Sequence, residues 1–520
     1  MASATLTKPH QPPASRTPWR RLRRIELRSW ERIGLAALCL LALIGYFAYP
    51  TYPTYDSFYA LLWGRNILHL HLPDFQVYRA PTEHPLAIAF GALCSIFGQD
   101  GARLMVLGSI ASFVAVVVGM YRLGKLCFGP LVGLLAALLV LSRFFVENLA
   151  AQGYLDISYI ALIVWAIVFA VQRPRRWPIS DRSLVLVTLA LAGLLRPDAW
   201  VLSGAYWLWL AWPRRDGGSI DNLTRLRYLA IAVSAPLIWV GVDTIVTGNP
   251  LYSLQSTAEL AQELERTQGI SSVVASVWTF GVRIDKTPVI IGVLIGLPIA
   301  IWMAPRRVLT PLVALVLLLG VFVAEGAVGA SVIDRYLMGA AIVALLFCAV
   351  TIGGWAMLEP GSTLRRVWMA GAAALVCYGG VSVATTLSLS SLRTTLAYHE
   401  DFHEGLAAAL EDPRVHAVLQ RCELLSLPDN KLIPDARWIL GGFGQHNIVA
   451  RSQARDDALK GADQLQDRLA RGSVAVFPLG SAVFFEAIVD VGDDPRVQVP
   501  EPGYRRIYTS RYYAVYDNCR

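Results

Sequence analysis

Apolar residues come along this chain in runs of roughly membrane length, separated by short basic loops and by a few longer, more structured polar stretches. The runs predict about eleven spans, near 33–50, 104–122, 129–146, 156–172, 183–196, 198–212, 227–246, 288–304, 308–325, 336–358 and 366–388, several of them short for a hydrocarbon layer of about 30 Å. The first run ends in YPTYPTYD, which offers no small-x-small cleavage site, so it reads as an uncleaved span.

The stretch 86–97 decides the topology. It is apolar but short, and if it crossed, the loop carrying Arg122 and Lys125 would face outward. If it only lies against the membrane, that loop faces inward. Arg173, Arg175, Arg176 and Arg182, then Arg214, Arg215, Arg225 and Arg227, then Arg306 and Arg307, then Arg365 and Arg366 all follow it to the cytoplasmic side. The second arrangement is the expectation. With the N-terminus inside and an odd number of spans, the C-terminus lies outside, together with outer loops 50–103 and 247–287.

Past Arg393 the composition turns ordinary, with a helix-like start and strand-like runs at 475–478, 482–488 and 512–516 between Pro/Gly turns. The expected organisation is a disordered basic cytoplasmic tail (1–32), an all-α polytopic membrane domain (33–390) and an extracytoplasmic soluble α/β domain (391–520).

Composition agrees. With 55% apolar and 16% charged residues, an ordinary soluble enzyme is excluded, and the net charge of +8, carried largely by short loops, is an orientation signal before it is a nucleic-acid signal. The seven cysteines show no CxxC and no metal-ligand spacing. Five lie in or beside apolar runs; the remaining two, Cys422 and Cys519, flank the soluble portion and are expected to pair in an oxidising compartment.

HExxH, a Walker A loop, GxSxG and a dinucleotide fingerprint are all absent from the sequence; GFGQHN lacks the third glycine. What remains is a set of acids and cations at outer ends of spans: Asp56, Glu83, Asp156, Arg79, Arg196, Arg283, Lys286 and Arg335. An anionic lipid-linked substrate needs cations at headgroup depth for its phosphate, and a carboxylate to take a proton from the incoming nucleophile. Structural readings stand beside these. Asp56 and Asp156 are each placed to cap a helix, Arg196 to pair with Asp198 beyond a Pro break, and Arg335 to anchor an interface. Arg79, Glu83 and His84 are placed to form an ion pair within their loop.

Asp56 just after the first span, an amphipathic helix, EHPL, an apolar helix ending in FG, and GARL opening the next span together resemble the C-type (GT-C) glycosyltransferase superfamily. The nearest branch contains the protein O-mannosyltransferases and the lipid A aminoarabinose transferases, where a K/H-P-P-L segment stands at His84, Pro85 and Leu86. Asp156 in GYLDISYIAL matches the acid of that branch's second outer loop. The resemblance covers about residues 33–200. It departs at Ser57, where the mannosyltransferases usually carry an Asp-Glu pair, and at Leu86, which replaces the second proline. It implies an inverting transferase of the plasma membrane and cell envelope, moving mannose or a pentose such as arabinose from polyprenyl phosphate to an extracytoplasmic protein, glycan or lipid; the Ala/Arg-rich, Lys-poor usage fits a high-GC bacterium. Asp56 would be the base and Asp156 the second acid, with Arg79, Glu83, His84, Arg196, Lys286 and Arg335 binding substrate. No cofactor is required by the sequence, a divalent metal is admitted, and no nucleic-acid partner is implied. The rival classes are a polytopic lipid or sugar transporter, which normally shows repeats and midplane charges, and a receptor, which leaves the Asp56 loop unexplained.

Overall fold

The computed structural model describes residues 18–172, 181–213, 220–263, 269–327, 332–386, 389–422, 424–441, 447–479, 500 and 502–519. The first 17 residues of the basic tail, the expected strand 482–488, and Arg173, Arg175, Arg176, Arg214 and Arg215 lie outside them.

The membrane part runs α1 (Pro18–Ala48), α2 (Tyr55–Leu68), α3 (Pro85–Ser95), α4 (Gly101–Phe128), α5 (Pro130–Leu141), α6 (Phe144–Ala151), α7 (Leu155–Val171) and α8 (Asp181–Gly193). It continues with α9 (Asp198–Ala211), α10 (Asn222–Thr247), α11 (Tyr252–Glu263), α12 (Ile270–Asp285), α13 (Thr287–Met303), α14 (Pro305–Ala327), α15 (Asp334–Gly353) and α16 (Thr363–Thr386). Among the described residues six helices (α1, α4, α10, α14, α15, α16) are long and apolar enough to cross a membrane; the bent pairs α5–α6 and α12–α13 raise this to eight. The protein is integral to a membrane. The expected spans fall on helices, with 129–146 divided between α5 and α6; α7, α8 and α9 are short, since α7 and α9 begin, and α8 ends, where the polar site described below interrupts the bilayer-length pattern. The expected loop 247–287 is itself largely helical, as α11 and α12.

Contacts at both ends of the α1–α4 pair decide how 86–97 lies. At one end of the α1–α4 pair the Tyr46 hydroxyl donates to the Arg103 carbonyl (3.2 Å) and Arg103 Nη2 donates to the Tyr46 carbonyl (2.9 Å). At the other end Glu31 accepts from the Tyr121 hydroxyl (2.8 Å) and pairs with Lys125. Helices α1 and α4 are therefore antiparallel neighbours, and α4 returns Lys125 to the side where α1 enters. The α2–α3 segment between them stays at the far end and does not cross. It is held there by glycine: a Cβ on Gly64 would collide with the α3 backbone at Gly91 and Ala92, and one on Gly91 with the Ala60 carbonyl. Only hydrogen at both positions lets the two axes approach this closely.

Helix α15, apolar on every side, is the centre of the bundle. Within its candidate span 89% of residues are buried, against 6% for the peripheral α1 and α16. The two bends brace one another beside it: α5 and α6 meet at 61° and α12 and α13 at 110°, and buried Arg143 in the first break donates to the Asp285 carbonyl in the second.

The C-terminal part contains α17 (Leu389–Leu410), α18 (Pro413–Leu419), β1 (Leu425–Leu427), α19 (Ile433–Leu440), β2 (Ile448–Ala450), α20 (Arg451–Leu459), α21 (Gln464–Arg471), β3 (Val474–Pro478), β4 (Arg505–Thr509) and β5 (Tyr513–Asp517). The sheet order is β2-β1-β3-β5-β4, parallel from β2 to β3 and antiparallel beyond. Cys422, before β1, and Cys519, after β5, are joined, with Cα atoms 6.0 Å apart. The sheet domain seats on the first outer loop. Arg65 stacks on Trp438 (4.6 Å) and donates to the Arg437 carbonyl (3.0 Å), and Tyr78 donates to Asp456 (2.7 Å).

Candidate functional site

Three helices begin at one place. Asp56 is in the first turn of α2, Asp156 in that of α7 and Arg335 in that of α15, and the α8–α9 break brings Arg196 and Asp198 beside them. First-turn carboxylates suit the positive ends of α2, α7 and α9. The start of α2 is tied to the turn before α7: Thr54 N–H donates to the Gln152 carbonyl (3.0 Å) and the Ser57 hydroxyl to the Gly153 carbonyl (2.5 Å). Gly153 has φ +71°, a conformation that favours glycine. Ser57 is fully buried in that contact, which leaves no room for the second acid of the Asp-Glu pair.

Neither acid is a helix cap. Thr54 is the cap residue of α2 and Tyr154 that of α7, in both cases without a side-chain capping bond. The carboxylates instead face arginines. Arg335 Nη1 stands 3.1 Å from Asp156 Oδ2 and 3.5 Å from Asp56 Oδ2. Arg196 Nη1 stands 2.8 Å from Asp156 Oδ1, and its Nη2 is 2.8 Å from Asp198 and 3.9 Å from Glu325. The rings of Tyr336 and Tyr159 lie against the Arg196 guanidinium, and Tyr154 against that of Arg335. Accessibility divides the cluster: side chains of Asp156 and Arg196 are each 10% exposed, whereas Asp56 is 28% and Arg335 24% exposed. The buried half is a closed ion-pair network, and the open half is where a substrate can arrive.

The structure brings Asp56, Asp156, Arg196 and Arg335 together and places His84 within their field. His84 opens α3 with its ring edge-on to Trp239 (6.0 Å). Burial pushes it below the usual histidine range, against the pull of the Asp56 and Asp156 carboxylates. The other residues are placed differently. Glu83 is buried beside Ser253 and Asp243, and desolvation lifts it to about 7. Arg79 turns to Glu263 and Asp456, each at 3.2 Å, and joins the loop to α11 and α20. The ion pair expected within the 79–84 loop is therefore replaced by two separate contacts. Lys286, at φ +68°, forms the α12–α13 bend and makes no ion pair among the described residues.

Sequence reasoning missed Glu325, Asp243, Tyr154 and Tyr336. Glu325 and Asp243 had a signal, since each is an acid within an apolar run. The tyrosines had none. Among the described residues no group of three or more His, Cys, Asp or Glu side chains is arranged to hold a metal ion. Beside Pro85 an apolar cavity of about 470 Å³ opens between Ile67, Phe75, Ile88 and Ala92 of the outer loop and Val242 and Val246 of α10.

Residues 83–240 match the family model described as dolichyl-phosphate-mannose-protein mannosyltransferase. ArnT from Cupriavidus metallidurans bound to undecaprenyl phosphate superposes with TM-score 0.50 at 12% identity, over 93% of this chain and 97% of that one. Its apo state gives 0.51 at 13% identity, over 95% and 98%. The apo oligosaccharyltransferase of Archaeoglobus fulgidus gives 0.48 at 13% identity, over 86% and 69%. No curated protein sequence matches the chain. The ArnT superpositions show that the chain shares the ArnT fold. The family match over 83–240 begins at Glu83 and His84, at the EHPL segment of the first outer loop.

Proposed function

We propose that this protein is an inverting glycosyltransferase that moves a sugar, mannose or a pentose such as arabinose, from a polyprenyl-phosphate donor to an extracytoplasmic acceptor. The observation that carries the reading is the open half of the ion-pair cluster: the Asp56 carboxylate, partly exposed, beside the Arg335 guanidinium at the mouth of the bundle. In the proposed step the acceptor hydroxyl oxygen attacks the anomeric carbon, Asp56 takes the hydroxyl proton, and the anomeric carbon–oxygen bond breaks toward the phosphate. Polyprenyl phosphate leaves with that electron pair and the configuration inverts. Asp156 acts through Arg335, and Arg196 is a structural cation whose carboxylate partners already enclose it. Lys286, His84 and Arg335 are the groups proposed to meet the donor phosphate.

The apolar cavity supports a lipid-linked donor, as its lining is almost entirely hydrocarbon and includes Pro85, the residue after His84. ArnT with bound undecaprenyl phosphate and the dolichyl-phosphate-mannose family match support the same donor class. The proposed orientation puts α1's entry and Lys125 in the cytoplasm, and the site and sheet domain outside. The test is transfer of radiolabel from polyprenyl-phosphate mannose and polyprenyl-phosphate arabinose to envelope acceptors by purified protein, with the product identified by mass spectrometry. Label transfer with release of polyprenyl phosphate is expected. Uptake of the intact donor into vesicles without bond cleavage would instead indicate a transporter.

A further inference from the structure

Asp56 and Asp156 face a single nitrogen. Arg335 Nη1 is 3.5 Å from Asp56 Oδ2 and 3.1 Å from Asp156 Oδ2, while the other oxygen of Asp156 accepts from Arg196 Nη1 at 2.8 Å. Two carboxylates this close to one point, at the edge of an apolar bundle, repel unless a proton, a metal ion or a cationic side chain lies between them. We infer that Arg335 is the cation of this site: its guanidinium takes the place that a divalent ion would hold between the two acids, positions Asp56, and lets the chain act without a divalent metal.

Three observations argue for the guanidinium over an ion. First, divalent cations of the calcium and magnesium type gather about six or more oxygens, and both oxygens of Asp156 are already engaged by arginines. An ion bound to Asp156 would stand beside two positive groups, one of them buried with Asp198 as a second partner. Second, the next acid, Glu325, is directed at Arg196, and no third ligand joins Asp56 and Asp156 among the described residues. Third, Arg335 is held from its own side. Tyr154 lies under its guanidinium at 4.9 Å, and the adjacent Asp334 pairs with Arg283 at 2.9 Å, which fixes the first turn of α15. Toward Asp56, Arg335 is thus a positioning residue, beside the contact with the donor phosphate proposed for it above.

The inference rests on the reading of Asp56 as base, but one arm of its test does not use activity. Mn²⁺ binding to full-length detergent-purified protein is measured by electron paramagnetic resonance for wild type, Asp156→Asn, Arg335→Ala, and Arg335→Ala combined with Asp156→Asn. Removing the guanidinium frees the Asp56 carboxylate and one oxygen of Asp156, the other staying with Arg196, so Arg335→Ala is expected to bind Mn²⁺ at least about 10-fold more tightly than wild type, and the double variant to lose that gain. Wild type that binds Mn²⁺ as tightly as Arg335→Ala, with the binding abolished by Asp156→Asn alone, overturns the inference. The second arm, chelation of wild type, stands even if Arg335→Ala does not fold: sugar transfer after exhaustive chelation is expected to stay within about 2-fold of the untreated rate. Alongside it, Arg335→Lys is expected to retain more transfer than Arg335→Ala. A loss of about 10-fold or more on chelation, restored by Mn²⁺ or Mg²⁺, overturns the inference while leaving glycosyl transfer intact. Absence of transfer from every donor, with the Mn²⁺ result as expected, counts against the proposed function and supports the role of Arg335.

Discussion

Arg196 and Asp156, 40 residues apart in the chain, meet inside the bundle with Nη1 2.8 Å from Oδ1, and both side chains are largely buried. Arg196 also holds Asp198, so its removal leaves two buried carboxylates without that cation. Breaking a buried pair from one side costs about 3–5 kcal/mol. Arg196→Ala is expected to lower the thermal unfolding temperature of the purified protein sharply. A variant that keeps wild-type stability and loses only donor affinity would instead return Arg196 to the phosphate-binding role.

Glu83 gives the outer loop a pH dependence of definite sign. Its folded carboxyl keeps its proton to about 7 because burial disfavours the charge, while an ordinary glutamate releases it near 4.5. The folded state therefore holds the extra proton through that window, and this contribution to stability declines as pH rises from 4.5 to 7 and is level above it. His399 and His403 work in the opposite sense. Burial pushes both from 6.5 to about 4, so their contribution is lost as pH falls through that range. The difference between Glu83→Gln and wild type isolates the first effect. Unfolding temperatures across this range should show the variant gaining on wild type as pH rises; parallel curves would remove Glu83 from the account.

Cys422 and Cys519 close a loop with a sequence separation of 97. In the chain-entropy view such a link stabilises by about 4 kcal/mol. Cys422→Ser should unfold the sheet domain at lower denaturant, by proteolysis or tryptophan fluorescence, and intact unreduced protein should show neither thiol to a labelling reagent. Labelling at both positions would refute the link.

Reporters test the orientation. The α1–α4 contacts put Lys125 with Glu31, on the side where α1 enters, so a fusion after Lys125 should read cytoplasmic and one after Thr394 extracytoplasmic. The same reading at both positions would contradict the proposed topology.

What the sequence shows and hides follows from how local each signal is. The Arg196–Asp198 pair spans two residues and a proline, so a Pro-broken apolar run containing an arginine was enough to read it. Asp156 and Arg335 lie 179 residues apart, and no periodicity links them. Both were visible as charges at span ends, but their shared contact was not. Arg79 was misleading because one partner, Asp456, belongs to the C-terminal domain, 377 residues away. In that domain β3 and β5 are five-residue apolar strands and could be read. Strands β1 and β2 have three residues each, and β4 has no buried position to create an alternation. The membrane helices were legible throughout because burial in lipid demands long apolar runs whatever they pack against.

If Asp56 takes the acceptor's proton, Asp56→Asn is the decisive variant. Asparagine keeps the shape of the side chain and much of its hydrogen bonding but cannot act as the base. The single-turnover rate of sugar transfer by folded, purified Asp56→Asn protein, with donor binding measured on the same sample, is expected to fall by about 100-fold or more while donor affinity is retained. A folded Asp56→Asn protein that binds polyprenyl-phosphate sugar and transfers it at near the wild-type rate would contradict the account.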